Sequence, residues 1–304
     1  MTVPGRLTAK DTGLLVLVAV AWGLNFVPIR WALNDLPPFM LAAVRFFLAA
    51  VPLMFFVKRP NLPWRYVVGY GLAIGAGQFG LLFLAIRLGF PAGLASLLIQ
   101  VQVFFTIFLS AVFARDRPRL RHLVGACIAA LGIVALVAQR LKSGGGGSGL
   151  GLLVVLASAI SWAVGNVTSK VAGQRYAFDM FALVVWSSLA APLPLLAMSY
   201  GFEGGFNAWH ALASASPLTW GSVFFITYAG TIFGYAVWNR MLLRHSAGQV
   251  TPFALLVPIV GLASAAAFLG EPLELVQALA AAVVLAGLAV AVLGRRGTRT
   301  PVPT

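Results

Sequence analysis

Acidic residues are scarce in this chain: seven Asp and Glu stand against 21 Lys and Arg in 304 residues, with three His and one Cys. A single cysteine, Cys127, allows no intrachain disulfide and lies inside an apolar run, so it carries no redox reading. The acids Asp11, Asp35, Asp116, Asp179, Glu203, Glu271 and Glu274 all fall at or near the ends of apolar runs, as do His122, His210 and His245. No central carboxylate or histidine is therefore placed to relay protons. The same absences remove the intramembrane enzymes: an HExxH helix, an embedded Ser and His, and paired intramembrane acids are all missing. No GxxxxGK[ST] loop offers a phosphate cradle, and neither a ring of charges nor a repeated filter loop points to a channel. No catalytic residue, metal site or cofactor is expected.

What fills the chain instead is apolar. It is 61% hydrophobic and 9% charged, with mean hydropathy +0.95, which puts it in a lipid bilayer rather than in water. The basic excess does not mark a nucleic-acid partner, because the cations sit between apolar runs rather than grouped on one polar face. A helix needs about 20 apolar residues to cross the hydrocarbon. Cutting at charges and Pro/Gly clusters gives ten such segments, at 13–33, 38–57, 66–86, 92–114, 121–139, 150–170, 178–200, 217–239, 247–269 and 276–294. The predicted fold class is all-α, a polytopic membrane protein with ten transmembrane helices. The first segment also has features of a signal peptide, with Arg6 and Lys10 ahead of an apolar run ending in Ala19 and Ala21.

Charge and repetition argue against cleavage there. With the N-terminus inside, alternate loops place 16 of the 21 cations in the cytoplasm, while Arg30, Arg87, Arg140 and Lys142 fall outside and Arg45 lies within a helix. Both termini are thus expected in the cytoplasm. Trp22 and Arg30 match Trp162 and Lys170 at an offset of 140, and "RFFLAA" from Arg45 matches "WSSLAA" from Trp186 at 141. Phe79-Gly80 match Phe233-Gly234, Ala92-Gly93 match Ala247-Gly248, and Asp116 matches Glu271, at 154 to 155. Five helices duplicated give an inverted pair, because the second copy enters from the opposite side. The expected organisation is residues 1–142 and 150–304 as the two repeats, joined by a flexible "SGGGGSG" tether at 143–149.

The blocks "AWGLNFVPIRWALNDLPPFMLAAVRFF", "GYGLAIGAGQFGLLFLAI", "PAGLASLLIQVQVFFTIFL", "SWAVGN" and "LLVPIVGLASAAAFLGEPL" resemble the EamA family of the drug/metabolite transporter superfamily. Within it they resemble most the branch that exports O-acetylserine and cysteine, with aromatic amino-acid exporters as further relatives. The resemblance implies export of small neutral amino acids and related metabolites, threonine and methionine among the options, by alternating access through a central cavity in a bacterial-type inner membrane. The expected partners are the amino-acid substrate and the lipid bilayer. A carrier for another solute, such as a drug or a nucleotide-sugar, is the alternative. The sequence leaves the oligomeric state open, a monomer included.

Polar and aromatic residues inside the segments are the candidates for substrate binding. Trp22 and Asn25 share a helix face, as do Trp162 and Asn166, and a pseudo-twofold axis turns both faces toward one cavity. There the indoles form apolar walls and the amides bond a zwitterion; alternatively the amides only tie helices together, at about 0.6 kcal/mol each. Pro28 is expected to kink or end the first helix. Gln78, Gln100 and Gln102 are buried by position, and the last two, two residues apart, cannot both face the cavity. Trp186, Tyr235 and Trp238 add aromatic surface that serves the site or plain packing. Arg45 either receives a substrate carboxylate, snorkels, or bonds neighbouring carbonyls. Gly71 and Gly75 read as a close helix contact rather than a nucleotide loop, since no strand precedes "GYGLAIGAG". Without a midplane relay, the simplest carrier moves substrate down its own gradient.

Overall fold

The computed structural model describes residues 7–114, 118–142, 148–245, 247–271 and 274–293, and among them every regular element is helical. The helical stretches are α1 (Ala9–Asp35), α2 (Pro38–Met54), α3 (Trp64–Arg87), α4 (Ala92–Phe113), α5 (Leu120–Lys142) and α6 (Ser148–Gly173). After them come α7 (Met180–Phe202), the short α8 (Asn207–Ala213), α9 (Pro217–Leu242), α10 (Thr251–Leu269) and α11 (Leu275–Leu293). Eight are long and apolar enough to cross a membrane: α1, α3, α4, α6, α7, α9, α10 and α11. Shorter apolar stretches lie in α2 and α5.

Local chemistry sets the ends. Thr8 caps α1 in a reciprocal box with Asp11, each satisfying the other's backbone N–H. Pro38 opens α2 where a missing N–H costs nothing. In α1 the helix breaks at Asn25 and resumes at Phe26. Pro28 explains it, because proline has no N–H to give the carbonyl of Leu24, four residues back, and its ring crowds that carbonyl. Between α7 and α9 lies α8, a seven-residue helix that leaves Trp209, and Phe206 just before it, exposed. Of the Gly/Ser tether, Ser148 and Gly149 already belong to α6, and 143–147 lie outside the described residues.

Helices α3, α4, α9 and α10 are irregular in a patterned way. α3 and α9 each contain a nine-residue π-helical stretch, Leu72–Gly80 and Phe225–Phe233, the second starting 153 residues after the first. A 3₁₀ stretch interrupts α4 at Ile99–Val101, and another, Thr251–Leu255, opens α10. π-helix is rare and collects at functional sites.

Close packing at glycine holds the bundle together. A Cβ on Gly71 would sit 2.1 Å from the Ser187 carbonyl oxygen, and one on Gly75 would sit 2.2 Å from the Ala191 methyl, so α3 and α7 touch nearly backbone to backbone. Gly125 and Gly287 bring α5 and α11 together in the same manner. Gly71→Ala is expected to destabilise the protein by about 1–3 kcal/mol through overpacking, read as a lower melting temperature in detergent. An unchanged melt would mean that α7 can move away freely.

Candidate functional site

A π-helical turn displaces backbone carbonyls from their usual partners, and in lipid each displaced carbonyl needs a new donor. Side chains from the other half of the chain supply them. On α3, Ser161 Oγ donates to the Ala73 carbonyl at 2.8 Å and Ser158 Oγ to the Gln78 carbonyl at 2.6 Å. On α9, Trp22 Nε1 donates to the Gly230 carbonyl at 2.7 Å. Gly230 and Gly234 form a notch for α1, since a Cβ on Gly234 would lie 2.3 Å from Trp22 Nε1 and one on Gly230 2.7 Å from Asn25 Oδ1. This Gly-xxx-Gly spacing on α9 is the signal that sequence reading passed over.

Arg45 is the polar centre. It is 1% exposed, and its Nη2 donates to Thr231 Oγ1 at 2.8 Å, while that hydroxyl donates to the Ile226 carbonyl at 3.1 Å. The guanidinium lies 3.7 Å from the centroid of the Phe79 ring, with Phe46 and Phe83 at 5.4 and 5.9 Å. Nε and Nη1 have no hydrogen-bond partner among the described residues. A cation–π contact out of water contributes about 2 kcal/mol, against an effective desolvation cost of several kcal/mol per buried ion. The site as it stands is short of an anion. Beside it runs a narrow cleft, open at the mouth and with room inside for about one water molecule, lined by Phe46, Ile74, Phe79, Ser187, Thr231 and Tyr235 among others.

The remaining candidates separate. Trp22 packs against Tyr235 and Trp238, with ring centroids 5.6 and 5.1 Å apart, and Tyr235 reaches the cleft. Asn25 Oδ1 and Gln78 Oε1 are buried without a hydrogen-bond partner among the described residues. Asn166, by contrast, donates to Gln102 Oε1 at 2.8 Å and to Thr106 Oγ1 at 3.2 Å, tying α6 to α4. Gln100 is buried on the 3₁₀ turn of α4, and Trp162 packs against the main apolar core. Trp186, among the cleft-lining Val184, Ser187 and Ser188, turns its indole to donate to the Val57 carbonyl at 2.9 Å and contacts Trp64. Thr231 and Phe79 complete the Arg45 environment from helices that no sequence motif links to it.

One end of the bundle is laced by carboxylates on helix N-termini, where free N–H groups and the helix dipole favour negative charge. Glu203 receives the N–H groups of Phe39 and Met40 at 2.7 and 3.2 Å, and Glu271 those of Ala92 and Gly93 at 3.0 and 2.9 Å. Asp35 receives the Ser216 N–H at 2.9 Å and the Thr219 hydroxyl at 2.7 Å. Each contact joins a residue before the tether to one after it. At the opposite end Asp11 pairs with His245 at 3.2 Å, and Gln174 Nε2 donates to the Ala114 carbonyl. Asp116, the repeat counterpart of Glu271, lies outside the described residues.

Apolar helices in this number, closing around a buried cation and a narrow cleft, define a multi-pass membrane protein with a polar interior. The model of the EamA-like transporter family matches residues 12–138 and again 149–293, so the chain belongs to that family. It is 42% identical, over 97% of its length and 98% of the relative's, to a Salmonella typhimurium protein named "Probable amino-acid metabolite efflux pump". An Escherichia coli K12 protein of the same name is 41% identical over 95% of this chain and 97% of the relative. A "Probable terminal-alkyne amino-acid exporter" of Streptantibioticus cattleyicolor is 29% identical over 88% of this chain and 89% of the relative. Among the solved structures that match, one does so at TM-score 0.59 and 22% identity, covering 94% of this chain and 98% of that one, which speaks for the fold alone.

Proposed function

We propose that the chain exports small neutral amino acids and related metabolites, of the O-acetylserine and cysteine kind, across a bacterial-type inner membrane by alternating access. The observation that carries this reading is the buried Arg45, bonded to the cleft-lining Thr231 and with Nε and Nη1 unpartnered among the described residues. An intramembrane cation marks a substrate path by default, and one short of an anion suits a carboxylate ligand. The names of the efflux relatives support the same substrate class. In cells overproducing the protein, small neutral amino acids are expected to accumulate in the medium several-fold above an empty-vector control, as read by mass spectrometry. An unchanged medium would remove the reading.

The architecture that serves export is ten crossings in two inverted five-helix repeats, residues 1–142 and 150–304. The matched π stretches of α3 and α9 and the matched 3₁₀ stretches of α4 and α10 support it, since a duplicated unit repeats its irregularities along with its regular parts. The charge asymmetry supports cytoplasmic termini, which makes the end holding Asp35, Glu203 and Glu271 the external one. Single-cysteine labelling in a Cys127→Ala background checks this: position 118 is expected to react only from inside and position 146 only from outside. The reverse pattern would overturn the orientation.

A further inference from the structure

The two repeats carry the same amide and use it differently. Asn166 binds Gln102 and Thr106 on α4. The offset of 155 that relates Ala92 to Ala247 carries Gln102 and Thr106 onto Val257 and Gly261 of α10, where neither side chain has a hydrogen-bonding group. At that seam Gly23, two residues before Asn25, presses against the Val257 carbonyl and the Val260 side chain. Gly23 takes the side of the helix that meets α10, and Asn25, two residues on, lies on the other side, with its Oδ1 against Gly230 of α9 rather than against a polar group of α10. Its Oδ1 is left buried and unpaired in a residue 6% exposed. A buried acceptor with no donor costs about 1–3 kcal/mol, a cost that a bound donor would remove.

Consecutive residues of α9 join this acceptor to Arg45. Asn25 Oδ1 lies against Gly230, and Arg45 Nη2 bonds Thr231. Successive residues of the π stretch thus touch an amide oxygen and a cation, each with polar atoms that have no partner among the described residues. In an α-amino acid the ammonium nitrogen and the carboxylate carbon are separated by one carbon, about 2.5 Å apart.

We infer, on the export reading above, that Arg45 and Asn25 form a clamp for the backbone of a zwitterionic amino acid, with the carboxylate on the free Arg45 donors and the ammonium on Asn25 Oδ1. The amide is a neutral acceptor, so the site neutralises only the carboxylate with a full charge. An amine lacking a carboxylate leaves Arg45 unmatched and adds a like charge. A carboxylate with a blocked amine neutralises Arg45 and leaves the Asn25 acceptor empty. The clamp therefore selects for both groups on one carbon, and the apolar walls of Phe46, Ile74 and Phe79 favour an uncharged side chain.

Equilibrium binding to the purified full chain in detergent, under reducing conditions, tests this with three probes: L-cysteine, N-acetyl-L-cysteine and L-cysteine methyl ester. Cysteine is expected to bind best, with the N-acetyl compound weaker by about 10- to 100-fold, matching the cost of one unsatisfied acceptor, and the ester at least as weak. Asn25→Leu is expected to weaken cysteine and leave N-acetylcysteine unchanged, erasing the difference between them. Asn25→Asp, which keeps the acceptor, is expected to preserve that difference even if the leucine variant fails to fold. Equal binding of all three probes to the unaltered protein overturns the clamp while leaving export standing. Equal losses for cysteine and N-acetylcysteine in Asn25→Leu overturn it too, because a purely structural amide would act that way. Binding of none of the three overturns the clamp and counts against the export reading itself.

Discussion

Arg45→Gln is expected to weaken substrate binding about 10²-fold and at the same time to raise the melting temperature of the empty protein. The loss follows from removing two charge-assisted hydrogen bonds to the substrate carboxylate, each about 1.5–3 kcal/mol, where about 1.4 kcal/mol is tenfold in affinity. The gain follows from the empty site. A buried guanidinium with Nε and Nη1 unpaired keeps a desolvation cost that the Phe79 face and the Thr231 hydroxyl only partly offset. Glutamine retains a donor for Thr231 and carries no charge. If Arg45 instead only braces α2 against α9, its removal should lower the melt and leave affinity alone. Arg45→Lys separates charge from geometry: it restores the charge without the planar fork, so partial recovery is expected. Binding isotherms and melts on the same preparations read all of this.

Glu271→Ala is expected to open the end of the bundle that the proposed orientation places outside. Its carboxylate holds the N–H groups of Ala92 and Gly93, joining the end of α10 to the start of α4. Losing one to two such bonds shifts a closed-to-open equilibrium by about 10- to 100-fold. Ser96, fully buried one turn further along α4, is the reporter. Replaced by cysteine in a Cys127→Ala background, it should react with a membrane-impermeant thiol reagent added from outside at least tenfold faster once Glu271 is removed. Glu271→Gln should give a smaller effect, because an amide keeps one acceptor without the charge that favours a helix N-terminus. Unchanged reactivity would reduce Glu271 to a helix cap with no part in gating.

Much of the fold was legible because lipid imposes a simple rule: long apolar runs become helices, and charged residues collect at their ends. Pro28 marked the break that opens at Asn25, and Gly71 and Gly75 marked the α3–α7 contact. The π stretches were not legible. Their composition is ordinary, and the side chains that bind their carbonyls, Ser158, Ser161 and Trp22, are distant in sequence. The site was half legible. Arg45 stood out as the one deep cation, but Thr231, 186 residues away, carries no motif that pairs it with Arg45. Asn25 and Asn166 read as equivalents, yet Asn166 meets Gln102 and Thr106 of α4 while Asn25 lies against Gly230 of α9, which has no side chain to bond it. Trp186 matched Arg45 by repeat position, yet its indole serves a carbonyl at the end of α2.

Counterflow in proteoliposomes tests the central claim most directly, that this chain is an amino-acid carrier whose substrate is held at Arg45. Vesicles loaded with unlabelled L-cysteine under reducing conditions and diluted into trace labelled cysteine should take up label transiently above equilibrium, with no imposed ion gradient, and the Arg45→Gln protein should take up little or none. Absence of uptake by the unaltered protein, or undiminished uptake by Arg45→Gln, would contradict the account.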